Sequence, residues 1–352
     1  MYKTFQYRIK DRSYIKELIR MSSVVNYVWN CCNEISNREW RENKKWISKI
    51  DIQKYFKGKS KELKLSSRII LLTAVEHAYK RKQFKKAKLK WRSRKRSLTW
   101  IPLDLYCFSI KYNLIKIGKT KFKIWKSREL EGKIKTADIT QNAKGDWFIN
   151  IVCECINEKS IPTNYSIGID LGFKETVVCS DGKIYISPKP LRFYEDKLAK
   201  AQRAKKHKLV TNIHQKISNI RKDFNHKTTT EIVKNNDVIF VGGVSSQAMI
   251  KRGKGFAKSA IDASWGQFRT MLDYKAKRLG KVFLSINEAW SSCTCSVCNE
   301  RSGPRGLSQL GVRSWVCNNC GTKHDRDINA AINIHNFGAG LSSPIQEILL
   351  RK

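Results

Sequence analysis

The sequence predicts a multidomain protein that combines an α/β domain with a β-rich domain. The chain of 352 residues is long enough for two or three domains with hydrophobic cores. Its first half contains short runs of alternating apolar and polar residues, whereas its second half alternates apolar strands with helical segments. Two closely spaced cysteine pairs near the C-terminus indicate a further, metal-stabilised module.

The first half predicts a small β-barrel interrupted by helices. Residues 2–9 alternate like a strand, and apolar stripes such as Ile15, Leu18 and Ile19 indicate packed helices after it. Short alternating strands return from about residue 98. We therefore predict a barrel formed by residues 1–12 and 96–160, with residues 13–95 as a helical insert.

The second half predicts an α/β domain over residues 164–292 and 321–340, interrupted by a cysteine-rich module at 293–320 and followed by a tail at 341–352. The predicted strands are 167–170, 175–179, 183–185, 238–241 and 281–286. The predicted helices are 194–208, 212–235 and 264–278, with a last helix beginning at Asp325.

The charge of the chain indicates a polyanionic partner. Seventy Lys and Arg against thirty Asp and Glu give a formal net charge of +40, and eleven of the eighteen residues from 80 to 97 are basic. A solvated helix face is the alternative interpretation of that run, but interleaved aromatic residues favour nucleic acid. The predicted nucleic-acid contacts are Lys80, Arg81, Lys82, Lys85, Lys86, Lys88, Lys90, Trp91, Arg92, Arg94, Lys95, Arg96, Lys197, Lys200, Arg203, Lys205, Lys206, Lys208, Arg221, Lys222, Lys251, Arg252 and Lys254.

The cysteines predict a structural zinc ion. We expect a reducing, cytoplasmic location, because the N-terminus lacks a signal-peptide core and no window of about 20 residues is free of charge. Two Cys-x₂-Cys pairs, separated by eighteen residues, have the spacing of a tetrahedral zinc site. The predicted ligands are Cys295, Cys298, Cys317 and Cys320. Cys293 is either a packed thiol or one that exchanges with Cys295, and His324 is a minor competitor.

Several motifs, taken in order, resemble the TnpB family of transposon-encoded RNA-guided nucleases, which are related to the type V CRISPR effectors. These motifs are residues 168–172 (GIDLG), 180–184 (SDGKI), 219–227, 264–268 and, around the cysteines, 324–334. The resemblance implies a RuvC/RNase H-like domain with an inserted zinc ribbon. It also implies a preceding wedge-type β-barrel that carries a helical recognition insert.

The resemblance implies that three acids hold two Mg²⁺ ions for DNA hydrolysis. Asp170 matches the first acid and Asp327 the third, while Asp325 is expected to be a helix N-cap. Gly242 stands where the family has its second acid, at the end of the strand at 238–241.

No other acid is expected from the sequence to replace the missing one. Asp237 should point to the opposite face of its strand, and Glu175 belongs to a different strand. Glu288 lies in the loop ahead of the cysteines. We therefore expect a site without catalytic activity, in which Mg²⁺ is weakly bound or absent, and a chain that is not an enzyme.

The preferred functional prediction is an RNA-guided DNA-binding protein that lacks nuclease activity, resembles the TldR repressors and represses transcription by guide-directed occupancy of its target site. Its expected partners are a guide RNA and a double-stranded DNA target beside a short DNA motif, in a bacterial or archaeal cytoplasm and associated with the nucleoid, with no membrane. The first alternative is an active RNA-guided endonuclease with a displaced acid. The second is an RNA-binding or chaperone-like protein with no DNA target.

Overall fold

The chain divides into two compact units, Met1–Ile156 and Asn157–Lys352. The computed structural model describes residues 1–10, 14–86, 88–93, 99–156, 161–243, 254–305, 309 and 311–350. Within these ranges, no helix combines the length and the apolar character that crossing a bilayer requires.

The first unit is built on a seven-stranded, nearly closed β-barrel sheet, in which every neighbouring pair of strands is antiparallel. Its strand order is β2-β6-β7-β1-β5-β4-β3, so the first strand lies in the middle and joins two meanders. The strands are β1 Tyr2–Ile9, β2 Trp100–Asp104, β3 Phe108–Lys111, β4 Leu114–Ile117, β5 Thr120–Trp125, β6 Lys133–Gln141 and β7 Trp147–Glu154.

Three helices lie between β1 and β2 in the chain: α1 Ile15–Asn43, α2 Lys49–Lys54 and α3 Ser67–Phe84. Their apolar faces and the inner face of the sheet form a single hydrophobic core, to which Leu18 and Ile69 contribute from the helices and Phe5 and Ile149 from the strands. Alternation along the strands accounts for the sheet side of this core, because every second residue of β7 is buried.

The second unit contains a five-stranded mixed sheet of order β10-β9-β8-β11-β12. Its strands are β8 Ser166–Asp170, β9 Val177–Cys179, β10 Ile184–Tyr185, β11 Val238–Gly242 and β12 Val282–Ile286. Strands β8, β11 and β12 are parallel, whereas β9 and β10 form an antiparallel extension. The carboxyl ends of the three parallel strands therefore meet at one edge.

Helices cover both faces of this sheet. The helices of the unit are α4 Pro190–Phe193, α5 Glu195–Arg203, α6 His207–Asn235, α7 Lys254–Ala263, α8 Trp265–Arg278 and α9 Arg326–Leu350. Ile239 and Val241 of β11 pack with α6 and α8, while Phe240 between them packs with Ile334 of α9 on the other face. Glycine permits the close approach of α9, because a Cβ on Gly168 would lie 2.2 Å from the carbonyl oxygen of Ala331.

A short zinc-ribbon-like segment precedes α9 and contains the hairpin β13 Ser314–Val316 and β14 Lys323–Asp325. The strands predicted at 167–170, 238–241 and 281–286 are confirmed to within one residue. The predicted basic helix 194–208 is wrong in its extent, since α5 ends at Arg203 and α6 begins at His207. Lys205 has a left-handed φ of 51°, and the Lys206 N–H closes the turn on the Ala201 carbonyl, which ends the helix.

Candidate active site

Two of the three acids of the candidate site lie where the sequence predicts them. Asp170 is the last residue of β8, and Asp327 lies in the first turn of α9. Asp325 caps that helix, because its Oδ1 accepts the backbone N–H groups of Asp327 and Ile328, both at 3.0 Å. The predicted N-cap role of Asp325 is therefore confirmed.

Glu288 fills the position that Gly242 leaves empty. A Cβ placed on Gly242 would lie 2.2 Å from Oε2 of Glu288 and 3.3 Å from its carboxyl carbon. Gly242 is paired with Ile286 on the adjacent parallel strand β12, and Glu288 follows Ile286 by two residues. The sequence analysis therefore misjudged the position of Glu288, whose carboxylate lies beside Gly242. A residue two positions beyond Ile286 returns to the same face, which directs its carboxylate in front of Gly242.

The carboxylates of Glu288 and Asp327 act electrostatically on Asp170. Burial, followed by the negative charges of Glu288 and Asp327, raises the pKa of Asp170 to about 7. Burial also raises the pKa of Asp327, although the guanidinium of Arg313 opposes this change. Like charges held together in this way are typical of a cation-binding or catalytic site.

The other acids that the sequence analysis considered have structural roles or lie elsewhere. The Oδ2 atom of Asp237 accepts the backbone N–H groups of Thr163 and Asn164 at 2.6 and 2.8 Å, and its Oδ1 lies 3.2 Å from Nζ of Lys281. Those hydrogen bonds hold the pKa of Asp237 below its usual range. Asp237 thus anchors the segment that leads into β8.

Arg313 is a cation of the candidate site that the sequence analysis missed. Its Nη1 donates to Oδ1 and Oδ2 of Asp327 at 3.1 and 2.7 Å. No local pattern in the sequence links Arg313, which immediately precedes β13, to Asp327, because the two residues are fourteen positions apart.

The four predicted zinc ligands lie together. The Sγ atoms of Cys295, Cys298, Cys317 and Cys320 all lie within 4.8 Å of one another. The Sγ–Sγ distances are 3.6 Å for Cys295–Cys320 and 3.5 Å for Cys298–Cys317. Tetrahedral zinc–thiolate bonds of about 2.3 Å require sulfur separations of roughly 3.8 Å, so this donor set fits structural zinc.

Neighbours of the zinc centre have supporting roles. Cys293 lies outside the cluster, and its thiol donates to the Trp290 carbonyl oxygen at 3.5 Å. His324 approaches Cys295 Sγ at 3.0 Å and stacks on Trp315. It is therefore a hydrogen-bond partner of a ligand thiol in this arrangement.

The asparagines of α9 tie the zinc centre to the acidic site. Both Asn329 and Asn333 donate through Nδ2 to the carbonyl oxygens of Ser291 and Thr294, at distances from 2.7 to 3.2 Å. These bonds fix the chain just ahead of Cys295 against the helix that carries Asp327. The Asn-Ala-Ala-Ile-Asn motif thus positions the two sites relative to each other.

Helices α5 and α6 present a basic surface. Leu198 and Ala201 of α5 are buried against Ile213 and Ile217 of α6, which leaves the opposite side of α5 in solvent. The exposed cations there are Lys197, Lys200, Arg203, Lys205, Lys206, Lys208 and, further along α6, Lys222. Arg221 differs from them, because it is half-buried and donates to the Ile261 carbonyl oxygen.

The basic segment of the first unit contains two structural arginines. Arg81 is only 3% exposed and donates to the Ile47 carbonyl oxygen, so its predicted nucleic-acid contact is wrong. The guanidinium carbon of Arg92 lies 5.0 Å from the ring centroid of Trp29 and 5.2 Å from that of Trp100. Its Nε donates to Asn26 at 3.1 Å, and burial lowers its pKa. Both side chains therefore make contacts that stabilise the fold.

The remaining predicted contacts of this segment fall into two groups. Lys82, Lys85, Lys86, Lys88, Lys90 and Trp91 are exposed, and Lys80 is half-buried. Arg94, Lys95, Arg96, Lys251 and Arg252 lie outside the described residues, and Lys254 is described only through its helical backbone.

Asparagines of α1 hold the exposed part of the segment in place. Asn33 exchanges hydrogen bonds with the backbone of Leu89 at 2.9 and 3.1 Å, and Asn30 does the same with Arg92 at 2.8 Å. His77 Nε2 lies 2.9 Å from the side-chain oxygen of Asn33. Amide groups of α1 and a histidine of α3 thus help to hold this strongly charged segment in place.

The chain thus combines three features: acidic residues at the carboxyl edge of a parallel sheet, a four-cysteine cluster suited to zinc, and a strongly basic composition. Residues 265–334 match the family described as Cas12f1-like, TNB domain, and residues 150–253 match the family described as probable transposase. A protein of Streptomyces pristinaespiralis named "Putative RNA-guided DNA endonuclease" is 30% identical, over 93% of this chain and 86% of its own length. InsQ of Escherichia coli K12, which has the same description, is 28% identical over 63% of this chain and 60% of its own length.

Solved structures agree on the fold. The Cas12f1 protein of a Cas12f1–sgRNA–target DNA complex has a TM-score of 0.60, with 14% identity over 96% of this chain and 99% of its own. The mini-RNA-guided endonuclease CRISPR-Cas_phi3 has a TM-score of 0.52, with 10% identity over 96% of this chain and 92% of its own.

The chain belongs to the TnpB family of Cas12f-like RNA-guided DNA endonucleases. The prediction that it is not an enzyme is contradicted by relatives whose names are those of nucleases. The sequence argument for inactivity overlooked Glu288, which lies in the loop just after β12 and whose Oε2 is 2.2 Å from a Cβ position on Gly242.

Proposed function

We propose that this chain is an RNA-guided DNA endonuclease in which Glu288 is the second catalytic carboxylate, beside Asp170 and Asp327. The observation that carries the proposal is the 2.2 Å distance between Glu288 Oε2 and a Cβ position on Gly242. The carboxylate is thus present at the carboxyl edge of the sheet, although it comes from the loop after the neighbouring strand β12. The sequence hypothesis of a nuclease-inactive repressor rested on a gap at Gly242, and Glu288 fills that gap.

The topology supports a RuvC/RNase H-like assignment for the second unit. Its three parallel strands β8, β11 and β12 end at one edge, and the antiparallel extension β9–β10 adjoins β8. Helix α9 brings the last acid to the end of β8. In the first unit, we assign the seven-stranded sheet as the wedge and α1–α3 as its recognition insert.

The acidic site fits Mg²⁺. Carboxylate oxygens are the ligands that this hard cation prefers, and Asp170, Glu288 and Asp327 would hold it. The repulsion that raises the pKa of Asp170 is relieved by a divalent charge. Bound Mg²⁺ supplies an activated water and stabilises the leaving oxygen of the phosphodiester.

Other residues of the chain bind and position the nucleic acids. The net charge of +40 and the exposed cations of α5 and α6 suit a guide RNA and its DNA target, whose backbones the protein contacts without reading their sequence. The hydrogen bonds of Asn329 and Asn333 hold the zinc module against α9 and so keep Asp327 at the site. Structural zinc stabilises that module.

The test is cleavage by the purified protein with its co-purified guide RNA, a matched DNA target and Mg²⁺. We expect cleavage by the wild type and its loss in Glu288→Gln, Asp170→Ala and Asp327→Ala, with target binding retained. Glu231→Gln is the matched control, because Glu231 is an exposed acid that pairs with Lys183 and Tyr185 beside β10.

Two results would contradict the proposal. Absence of cleavage by the guide-loaded wild type would reject the nuclease function itself. Full activity of Glu288→Gln, together with loss in Asp170→Ala, would reject Glu288 as the displaced acid.

A further inference from the structure

A cavity of about 210 Å³ lies beside the candidate active site within the second unit. The loop after β8, the segment leading into α4, helix α7 and Arg313 form its walls. Four cationic side chains line it: Lys174, Lys189, Arg192 and Arg313. Because Arg313 also binds both carboxylate oxygens of Asp327, the cavity adjoins an acid of the site.

The acid among the lining residues does not neutralise these cations. Asp262 is buried, and its two oxygens accept the backbone N–H groups of Leu191 and Arg192 at 2.8 and 3.2 Å. It therefore fastens the start of α4 to α7. Four cations against two carboxylates, Asp262 in the lining and Asp327 paired with Arg313, leave a formal surplus of two positive charges.

Hydrogen bonds and backbone geometry fix the orientation of the lining. Arg192 Nη2 donates to the Ser259 hydroxyl at 2.7 Å, and the Ser187 N–H donates to the Thr176 hydroxyl at 2.9 Å. Lys189 has a left-handed φ of 46°, a backbone conformation that is unfavourable for a non-glycine residue. Strain of this kind persists where the surrounding structure determines it, often at functional sites.

We propose that this cavity is a phosphate subsite. It binds a phosphodiester that neighbours the phosphodiester that is cut in the nucleic-acid strand. The inference rests on the proposed nuclease function and extends it to residues that the sequence analysis did not name. Guanidinium groups bind phosphate through paired N–H donors, and lysines add point charges. Phe173, stacked on Trp265 with ring centroids 4.6 Å apart, provides an apolar wall for the attached sugar or base.

The first test measures binding without cleavage. Guide-loaded protein in a metal-free buffer with chelator is titrated with a fluorescent, non-complementary DNA strand of about ten nucleotides at several salt concentrations. In the double variant Lys174→Gln/Lys189→Asn, we expect the slope of log K against log salt to become shallower by about 0.7, the contribution of one phosphate on a single strand. Asparagine tolerates the left-handed backbone of residue 189, so the variant removes charge without adding strain.

Two variants serve as controls in this assay. Lys189→Arg keeps the charge and should keep the wild-type slope. Lys277→Gln removes an exposed lysine on α8 that pairs with Asp273 at 2.8 Å, and should leave the slope unchanged. An unchanged slope in the double variant would overturn the subsite.

The second test uses matched targets in which single phosphates near the cut are replaced by uncharged methylphosphonates. We expect one position, besides the cut phosphate, at which a neutral methylphosphonate slows cleavage at least tenfold in the wild type and in Lys189→Arg. The same replacement should not slow cleavage further in the double variant Lys174→Gln/Lys189→Asn. If the wild type cuts and no such position exists, the subsite is wrong and the proposed function stands. If the wild type does not cut, the proposed function fails, and the salt slope alone decides the subsite.

Discussion

A methyl group on residue 242 should disable the site by displacing Glu288. In Gly242→Ala, the new Cβ would lie 2.2 Å from Glu288 Oε2, whereas ordinary contacts begin at 3.4 Å. The carboxylate therefore has to move by about 1.2 Å, the difference between these distances. The backbone at residue 242 does not have a left-handed φ, so alanine itself fits without strain.

The expected effect is large on activity and small on stability. A misplacement of about 1 Å in an active site costs roughly 10²-fold in rate, which corresponds to about 2.7 kcal/mol of transition-state stabilisation. The displaced atom is the end of a flexible side chain, so the fold can accommodate its movement. The other near contact, Ile334 Cδ1 at 3.2 Å, needs to shift by only a few tenths of an ångström.

The assay is single-turnover cleavage of a matched target, with Gly266→Ala as the control because a Cβ there meets nothing within 4 Å. Glu288→Ala should also be inactive, and adding Gly242→Glu to it should restore part of the rate, since the carboxylate then returns from β11 into the vacated space. Wild-type rates in Gly242→Ala would refute the reasoning. So would a double variant no faster than Glu288→Ala.

Three further predictions concern zinc, pH and the basic segment. The purified chain should contain one zinc per molecule by elemental analysis; Cys317→Ser should lose it, and Cys293→Ser should retain it. Burial lowers the pKa of His77 to about 4, so the folded state excludes a proton that the unfolded chain binds near pH 6.5. The contribution of neutral His77 to the free energy of unfolding is therefore fully present above pH 6.5 and is lost as the pH falls toward 4, by up to about 3 kcal/mol. Urea unfolding should show this loss in the wild type and not in His77→Gln. Arg81→Ala should lower the free energy of unfolding by about 1–3 kcal/mol with an unchanged salt slope of nucleic-acid binding, whereas Lys85→Ala should make that slope shallower and leave stability intact; the opposite pattern would return Arg81 to the binding surface.

The sequence was most informative where a local rule governs the outcome. Alternation and apolar runs predicted strands β8, β11 and β12 to within one residue. The cysteine spacing predicted the four thiols that lie together, because each Cys-x₂-Cys turn brings its own two sulfur atoms close and the spacing of the two pairs is typical of a zinc site. Composition likewise predicted a polyanionic partner, although it did not distinguish cations on the surface from Arg81 and Arg92 in the core.

The sequence alone thus determined the three parallel strands and the two Cys-x₂-Cys pairs, since each depends on neighbours within a few residues, while the resemblance of its motifs to a family singled out two acids. Only the tertiary structure showed that a third carboxylate lies beside Gly242. Glu288 is 46 positions from Gly242 in the chain, and nothing local relates them. The parallel pairing of β11 with β12 brings them face to face, and the same kind of distant contact joins Arg313 to Asp327. Side chains that meet through sheet register and packing leave no periodic trace in the sequence, which is why the missing carboxylate became visible only in the fold.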